Sequence, residues 1–331
     1  MSVRRRTFIA LAGAALAIPA VRSVAQDDAD PATNAQAQSL RVLLGQGEAQ
    51  EADRGFIFEG RPYRGTFARL NDGSIVNLVG VEQYLYSVVP REMSPSWPDA
   101  ALQAQAICAR TYVLQRSNPK RDYDLVPSEL DQVYHGVTGE SPAGRAAVDG
   151  TNGQVLRFAQ QFASVAYSSC CGGHTESSAD AWGGTAVPYL RGVACGFCNE
   201  SPNYRWSDRL ALGDVEQRLA DRIGPLGQLK DVRIAGTDGS GRARAFELAC
   251  DHGSVSVKGS TFRLSVGARV IRSLLISRLS VDRSAEVAIE GGGLGHGVGL
   301  CQWGARGMAI AGRTARDILA WYFPGTELAN D

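Results

Sequence analysis

The hydrophobic positions change period several times along the chain. Between Ser39 and about Val89 they fall in short β-prone runs, Arg41-Val42-Leu43-Leu44, Phe56-Ile57-Phe58 and Ile75-Val76-Asn77-Leu78-Val79. Gly60, Gly65 and the hairpin-type Asn71-Asp72-Gly73 separate them, so this region reads as strands and turns. From Trp97 to Arg116 the period becomes helical. Leu102, Ala106, Ala109 and Val113 form one stripe in a segment rich in Ala, Gln and Leu, with Ser96 as N-cap and Pro98 in the first turn. Residues 151–169 read as two strands leading into a Cys/Gly-rich loop, and Gly213 to Ile223 as a second helix. Lys230 to Ile289 is mostly strand, turning at Asp238-Gly239 and Asp251-His252-Gly253, and Thr314 to Trp321 is a last helix stopped by Pro324-Gly325. The pattern predicts an α+β fold with a largely antiparallel sheet and one long helix following Glu92. That domain would occupy residues 39–331, as one body or two lobes.

The first 38 residues differ in kind. Arg4-Arg5-Arg6, an apolar stretch from Phe8 to Ala20 and the small-x-small Ser23-Val24-Ala25 read as an export signal over residues 1–25. The apolar stretch is too short to span a bilayer, so no lasting membrane anchor is expected. Arg5-Arg6-Thr7-Phe8-Ile9 resembles a twin-arginine signal, whose pathway carries folded proteins. Residues 26–38, rich in Asp, Ala and Gln, read as a flexible tether. This leader also changes the charge picture. The chain has 34 basic and 34 acidic residues, but the leader takes four arginines and no acid, leaving 30 against 34. A mildly acidic exported protein has no broad basic field for nucleic acid. Hydrophobic residues at 44% and charged residues at 21% are ordinary for a globular protein and exclude a disordered or multi-span chain.

Three stretches carry candidate chemistry. Glu92 lies in Val88-Val89-Pro90-Arg91-Glu92-Met93-Ser94-Pro95-Ser96-Trp97-Pro98, after a strand-like run and before the long helix. A carboxyl held there beside Met93 and Trp97 and partly desolvated would have its pKa raised toward that of a general acid; a solvated turn glutamate is the alternative that pattern alone favours. The second stretch, Gly291 to Gly304, has six glycines in its first nine residues and then Cys301-Gln302-Trp303-Gly304. Its backbone can approach a ligand closely, while His296, Gln302 and Trp303 offer hydrogen bonds and a stacking face. It lacks the Gly-Lys-Ser/Thr ending of a nucleotide P-loop. The third holds Cys171-Gly172-Gly173-His174 and Cys195-Gly196-Phe197-Cys198. Two i,i+3 pairs suit a closed structural zinc site of Cys171, His174, Cys195 and Cys198. Disulfide pairing is the alternative that an oxidising compartment favours, and Cys170 leaves the ligand choice open. Cys108 and Cys250 read as core thiols. His135 and Asp131 read as surface loop residues.

These segments, in order, resemble the stage II sporulation protein D family, which includes amidase enhancers and peptidoglycan lytic transglycosylases. The resemblance rests on Glu92-Met93 with Trp97-Pro98, Ala101-Leu102-Gln103-Ala104-Gln105-Ala106, Ala109-Arg110-Thr111-Tyr112 and Gln132-Val133-Tyr134-His135-Gly136. It continues through Cys171-Gly172-Gly173-His174-Thr175-Glu176, Trp182-Gly183-Gly184, Pro188-Tyr189-Leu190 and Gly295-His296-Gly297-Val298-Gly299 with Gln302-Trp303-Gly304-Ala305. It implies that Glu92 is the acid/base of a lytic transglycosylase acting on peptidoglycan glycan strands, with Arg110 close by. It further implies a glycan-binding groove involving Gln103, Tyr134, His296, Gly297, Cys301 and Gln302. A non-catalytic enhancer of an N-acetylmuramoyl-L-alanine amidase is the alternative that the family allows. Gln103 stands where relatives commonly have Lys, and Cys301 where they commonly have Ser.

Overall fold

The computed structural model describes residues 39–331; the export-signal and tether expectations lie outside the described residues. Eight helices are used below: α1 (Val81–Glu92), α2 (Asp99–Arg116), α3 (Pro142–Asp149), α4 (Ser178–Trp182), α5 (Leu212–Ile223), α6 (Gly259–Val266), α7 (Gln302–Ile310) and α8 (Ala315–Tyr322). They accompany several small sheets whose pairings are antiparallel, apart from a short parallel pair between Tyr167–Ser168 and Leu300–Cys301. The fold is α+β.

The principal core is built around α2. Alanines at 101, 104, 106 and 109 let neighbouring elements approach closely, so this helix is buried on nearly every face rather than along the expected stripe alone. α1, α3, α7, α8 and the strand Gln154–Phe158 pack around it. The helix begins at Asp99, two residues after the expected start, and Ser96 does not cap it: its hydroxyl meets Ser94 Oγ at 2.9 Å.

One element differs in type. The apolar run that reads as strand up to about Val89 is strand only through Gly80; residues 81–92 form α1. Val81, Tyr84, Leu85, Val88 and Val89 are all buried and follow i, i+3, i+4, i+7, i+8 spacing. Packing that stripe on α2 outweighs the local β preference of valine and tyrosine. Pro90 falls in the last turn, and Gly144 of α3 packs against its ring.

A second hydrophobic core contains only residues between Trp206 and Ile289, with Phe246 and Phe262 stacked at 3.9 Å at its centre. The chain leaves the principal core after Cys198 and rejoins it at Val298. Arg242 and Glu176 join the two regions. Arg242 Nη2 donates to the Cys171 carbonyl at 2.8 Å, and Ser240 Oγ donates to Glu176 Oε2 at 2.6 Å. Glu176 is buried, and desolvation raises its pKa to about 7. Among the described residues no helix is long and apolar enough to cross a membrane.

Candidate functional site

Glu92 is the last residue of α1, so the helix delivers its carboxyl to the end of the principal core. The first turn of α7 meets it there: Gln302 Nε2 donates to Glu92 Oε2 at 3.1 Å and also lies 3.4 Å from Gln105 Oε1 on α2. Desolvation raises the Glu92 pKa, while Gln302 and the neighbouring Tyr167 hydroxyl offset part of that rise by favouring the carboxylate. Tyr167 OH itself has no formed hydrogen bond, and the same holds for Tyr84 OH, Gln105 Nε2 and Gln132 Oε1, all buried. Buried polar atoms without protein partners are rare in folded proteins, and a catalytic role, a water or an ion accounts for such atoms elsewhere. Trp97 and Trp303 meet edge to face at 5.0 Å beside this group, both half-buried.

The glycine-rich loop packs on Ser168, next to Tyr167. The His296 ring lies 5.1 Å from the exposed Trp182 ring, and its Nδ1 accepts from the Val298 amide at 2.9 Å. Burial pushes the His296 pKa down to about 4, so the ring is neutral near pH 7. Gly297 has φ +82°, and a Cβ there would overlap the Arg242 guanidinium, which explains the glycine.

Three of the four expected metal ligands fall in one cluster of thiols, and the fourth member differs. Cys171, Cys195, Cys198 and Cys301 place their sulfurs within 4.8 Å of one another, close enough to bind a metal ion. Cys171 and Cys198 Sγ are 3.7 Å apart, close to the ~3.8 Å edge of a tetrahedron with metal–sulfur bonds of about 2.3 Å. His174 is not the fourth member; its Nδ1 is 2.7 Å from the Thr175 carbonyl. Cys301 replaces it, 130 positions beyond Cys171, because the chain returns from the second core directly onto the cysteine loop. The knuckle Cys195–Cys198 presses on α7 where Gly304 and Gly307 leave room, and Tyr322 OH lies 3.0 Å from Cys195 Sγ. Cys108 and Cys250 are buried away from the cluster, while Cys170 is buried against it, its Sγ 4.0 Å from the Cys198 carbonyl.

Other expected site residues lie elsewhere. Arg110 is fully buried and faces the opposite end of α1: its guanidinium donates to both Glu82 oxygens at 2.7 and 2.6 Å, and to the Gln154 carbonyl at 3.0 Å. Glu92 lies ten positions beyond Glu82 on α1, about 15 Å at ~1.5 Å per residue. Gln103 packs over Gly150 at the end of α3, and it is Gln105, turned to the opposite face of α2, that reaches Gln302. Tyr134 is a core aromatic, with its ring 4.7 Å from that of Tyr84 and its hydroxyl donating to Asn77 Oδ1 at 2.8 Å. Cys301 joins the thiol cluster instead of lining a groove. Gln105, Gln132 and Tyr167 are the residues that the motif reading missed. A glutamine between buried alanines 104 and 106 was the available signal for Gln105.

Residues 70–158 match the family described as Stage II sporulation protein, and residues 195–299 match a domain of unknown function (DUF8618). An uncharacterized protein of Brachyspira hyodysenteriae is 34% identical over 85% of this chain and 76% of its own length. Stage II sporulation protein D of Bacillus amyloliquefaciens is 27% identical over 79% of this chain and 77% of its own length. The amidase enhancer of Bacillus subtilis is 29% identical over 74% of this chain, but that match spans only 40% of the enhancer. The chain belongs to the stage II sporulation protein D and amidase-enhancer family.

Proposed function

We propose that this protein is an exported lytic transglycosylase that cleaves peptidoglycan between N-acetylmuramic acid and N-acetylglucosamine, with Glu92 as its single acid/base. The observation that carries the reading is the desolvated Glu92 carboxyl held by Gln302 amid buried polar atoms without partners. Protonated Glu92 gives its proton to the glycosidic oxygen as the bond to muramic C1 breaks. The resulting carboxylate takes the proton of the muramic 6-hydroxyl as that oxygen attacks C1. The product is a 1,6-anhydro ring, no water is consumed, and no second catalytic carboxylate is required, unlike ordinary glycosidases. Neutral His296 and the Trp182, Trp97 and Trp303 rings provide polar and stacking surfaces for N-acetyl sugars.

The four-thiol cluster fits a structural zinc: four protein sulfurs fill a tetrahedral shell, which leaves no open position for metal-activated water. This argues against a zinc amidase or peptidase. A second reading, a glycan-binding enhancer of an amidase, is favoured by the relative bearing that name.

The test is digestion of intact and amidase-stripped peptidoglycan with wild type and Glu92→Gln, with mass spectrometry for 1,6-anhydro ends. Wild type should form them and Glu92→Gln should not. Wild type that binds glycan, forms no anhydro ends and stimulates an amidase would replace this reading with the enhancer.

A further inference from the structure

The thiol cluster and Glu92 look like separate features, one structural and one chemical, but one residue step joins them. Cys301 is the N-cap of α7: its Sγ accepts from the Gly304 amide at 3.3 Å and from the Cys171 amide at 3.2 Å. Gln302, the next residue, donates to Glu92, and Trp303 packs on Trp97. Cys171, Cys195 and Cys198 come from the segment before the second core, and Cys301 from the segment after it. The cluster therefore closes the point where the long excursion through the second core returns, immediately ahead of the Glu92 partner. Backbone bonds from the Leu300 amide to the Ala166 carbonyl at 2.9 Å and from the Trp303 amide to the Ser169 carbonyl at 3.0 Å also hold the start of α7, and both lead back to the segment that carries Cys171. The Tyr167–Ser168 pairing with Leu300–Cys301 is only two residues long, so the thiol cluster is the side-chain link between these two segments nearest to Gln302.

We propose that the four-cysteine centre is a positioning device for the acid/base: with a divalent ion bound, Cys301 holds the first turn of α7 in the register that places Gln302 on Glu92 and Trp303 on Trp97. The proposal rests on the acid/base role of Glu92 and on metal occupancy of the cluster. It makes Cys301 and Gln302 positioning residues and makes glycan cleavage depend on metal status, although the metal touches no substrate. Serine is itself a good N-cap, so Cys301→Ser keeps an acceptor for the Gly304 amide while removing one metal ligand.

The test uses the full chain loaded with zinc, the same protein after chelation, and the variants Cys301→Ser, Gln302→Ala and their double. Near-ultraviolet circular dichroism follows the Trp97–Trp303 pair, identified by the difference from Trp303→Phe, and far-ultraviolet circular dichroism follows the fold. Chelation and Cys301→Ser should each remove the pair's signal with the far-ultraviolet spectrum retained. They should lower kcat by about 30-fold or more, as a displacement near 1 Å at the reacting groups does, with KM changed much less. Zinc should restore the chelated wild type. Because Cys301 acts through Gln302 and Trp303, the double variant should lose less kcat than the two single losses multiplied together. Additive losses, or a chelated protein that keeps both the tryptophan signal and kcat, would overturn the proposal. If removing metal unfolds the chain, Cys301→Ser saturated with zinc decides: wild-type kcat and tryptophan signal refute, loss of both supports. If wild type forms no anhydro ends, the catalytic reading fails, while the tryptophan signal still decides whether the centre sets the start of α7.

Discussion

Replacing Arg110 by alanine separates a residue that holds the fold from one that performs chemistry. The motif reading puts Arg110 beside the acid/base, whereas its guanidinium joins both oxygens of Glu82 and the Gln154 carbonyl, with only 1% of the side chain exposed. Alanine would leave the Glu82 carboxylate, three-quarters buried, without its cation. Breaking a buried pair from one side costs about 3–5 kcal/mol. The Val148 carbonyl, 3.3 Å from Arg110 Nη2, also accepts from Thr151 Oγ1 at the same distance, so it adds little. A loss of about 4 kcal/mol follows, near 10 °C in Tm for a chain of this size. Urea unfolding of wild type and Arg110→Ala, with kcat measured at a temperature where both are folded, checks it. The expected outcome is large destabilisation with kcat within about threefold of wild type. A variant as stable as wild type but more than a hundredfold slower would refute the reasoning and return Arg110 to the catalytic site.

Three further outcomes follow from particular contacts. Gln302 donates to the Glu92 carboxylate and so lowers a pKa that burial has raised; Gln302→Ala should raise it further and move the alkaline limb of the pH–rate profile to higher pH, whereas an unmoved limb would contradict the contact. The Glu176 pKa stands near 7 in the folded protein against 4.5 for an unperturbed carboxyl, so folding favours its protonated form. Its contribution is most favourable below about 4.5 and declines until about pH 7, so Glu176→Gln should gain Tm relative to wild type between pH 5 and pH 8. A constant difference across that range would show that Glu176 is not the titrating group. At Gly304 a Cβ would overlap the Tyr322 hydroxyl and come within 2.7 Å of Cys195 Sγ. Gly304→Ala should therefore lower both Tm and bound metal, measured by elemental analysis; full retention of metal would show that the knuckle can shift.

Much of the architecture is written in local pattern. The α2 helix, the antiparallel hairpins and the glycine loop all follow from hydrophobic period and turn residues over a few neighbours. The ordered motifs also single out Glu92 and Gln302, which the fold brings into contact. Even the α1 error was correctable, since Val81, Tyr84, Leu85, Val88 and Val89 carry helical spacing that β propensity masked.

Tertiary structure decided which side chains share a space. Gln103 and Gln105 are equally good candidates in the text of α2, but they point to opposite faces, and only packing against α7 selects Gln105. Spacing favoured His174 as the fourth metal ligand because i,i+3 pairs are visible locally; Cys301, 130 positions beyond Cys171, reaches the cluster only because the second core returns the chain beside its point of departure. Local sequence sets backbone conformation through short-range sterics and hydrogen bonds. Partnership across such separations is set by how whole elements bury their apolar faces against one another, which no stretch of sequence contains by itself.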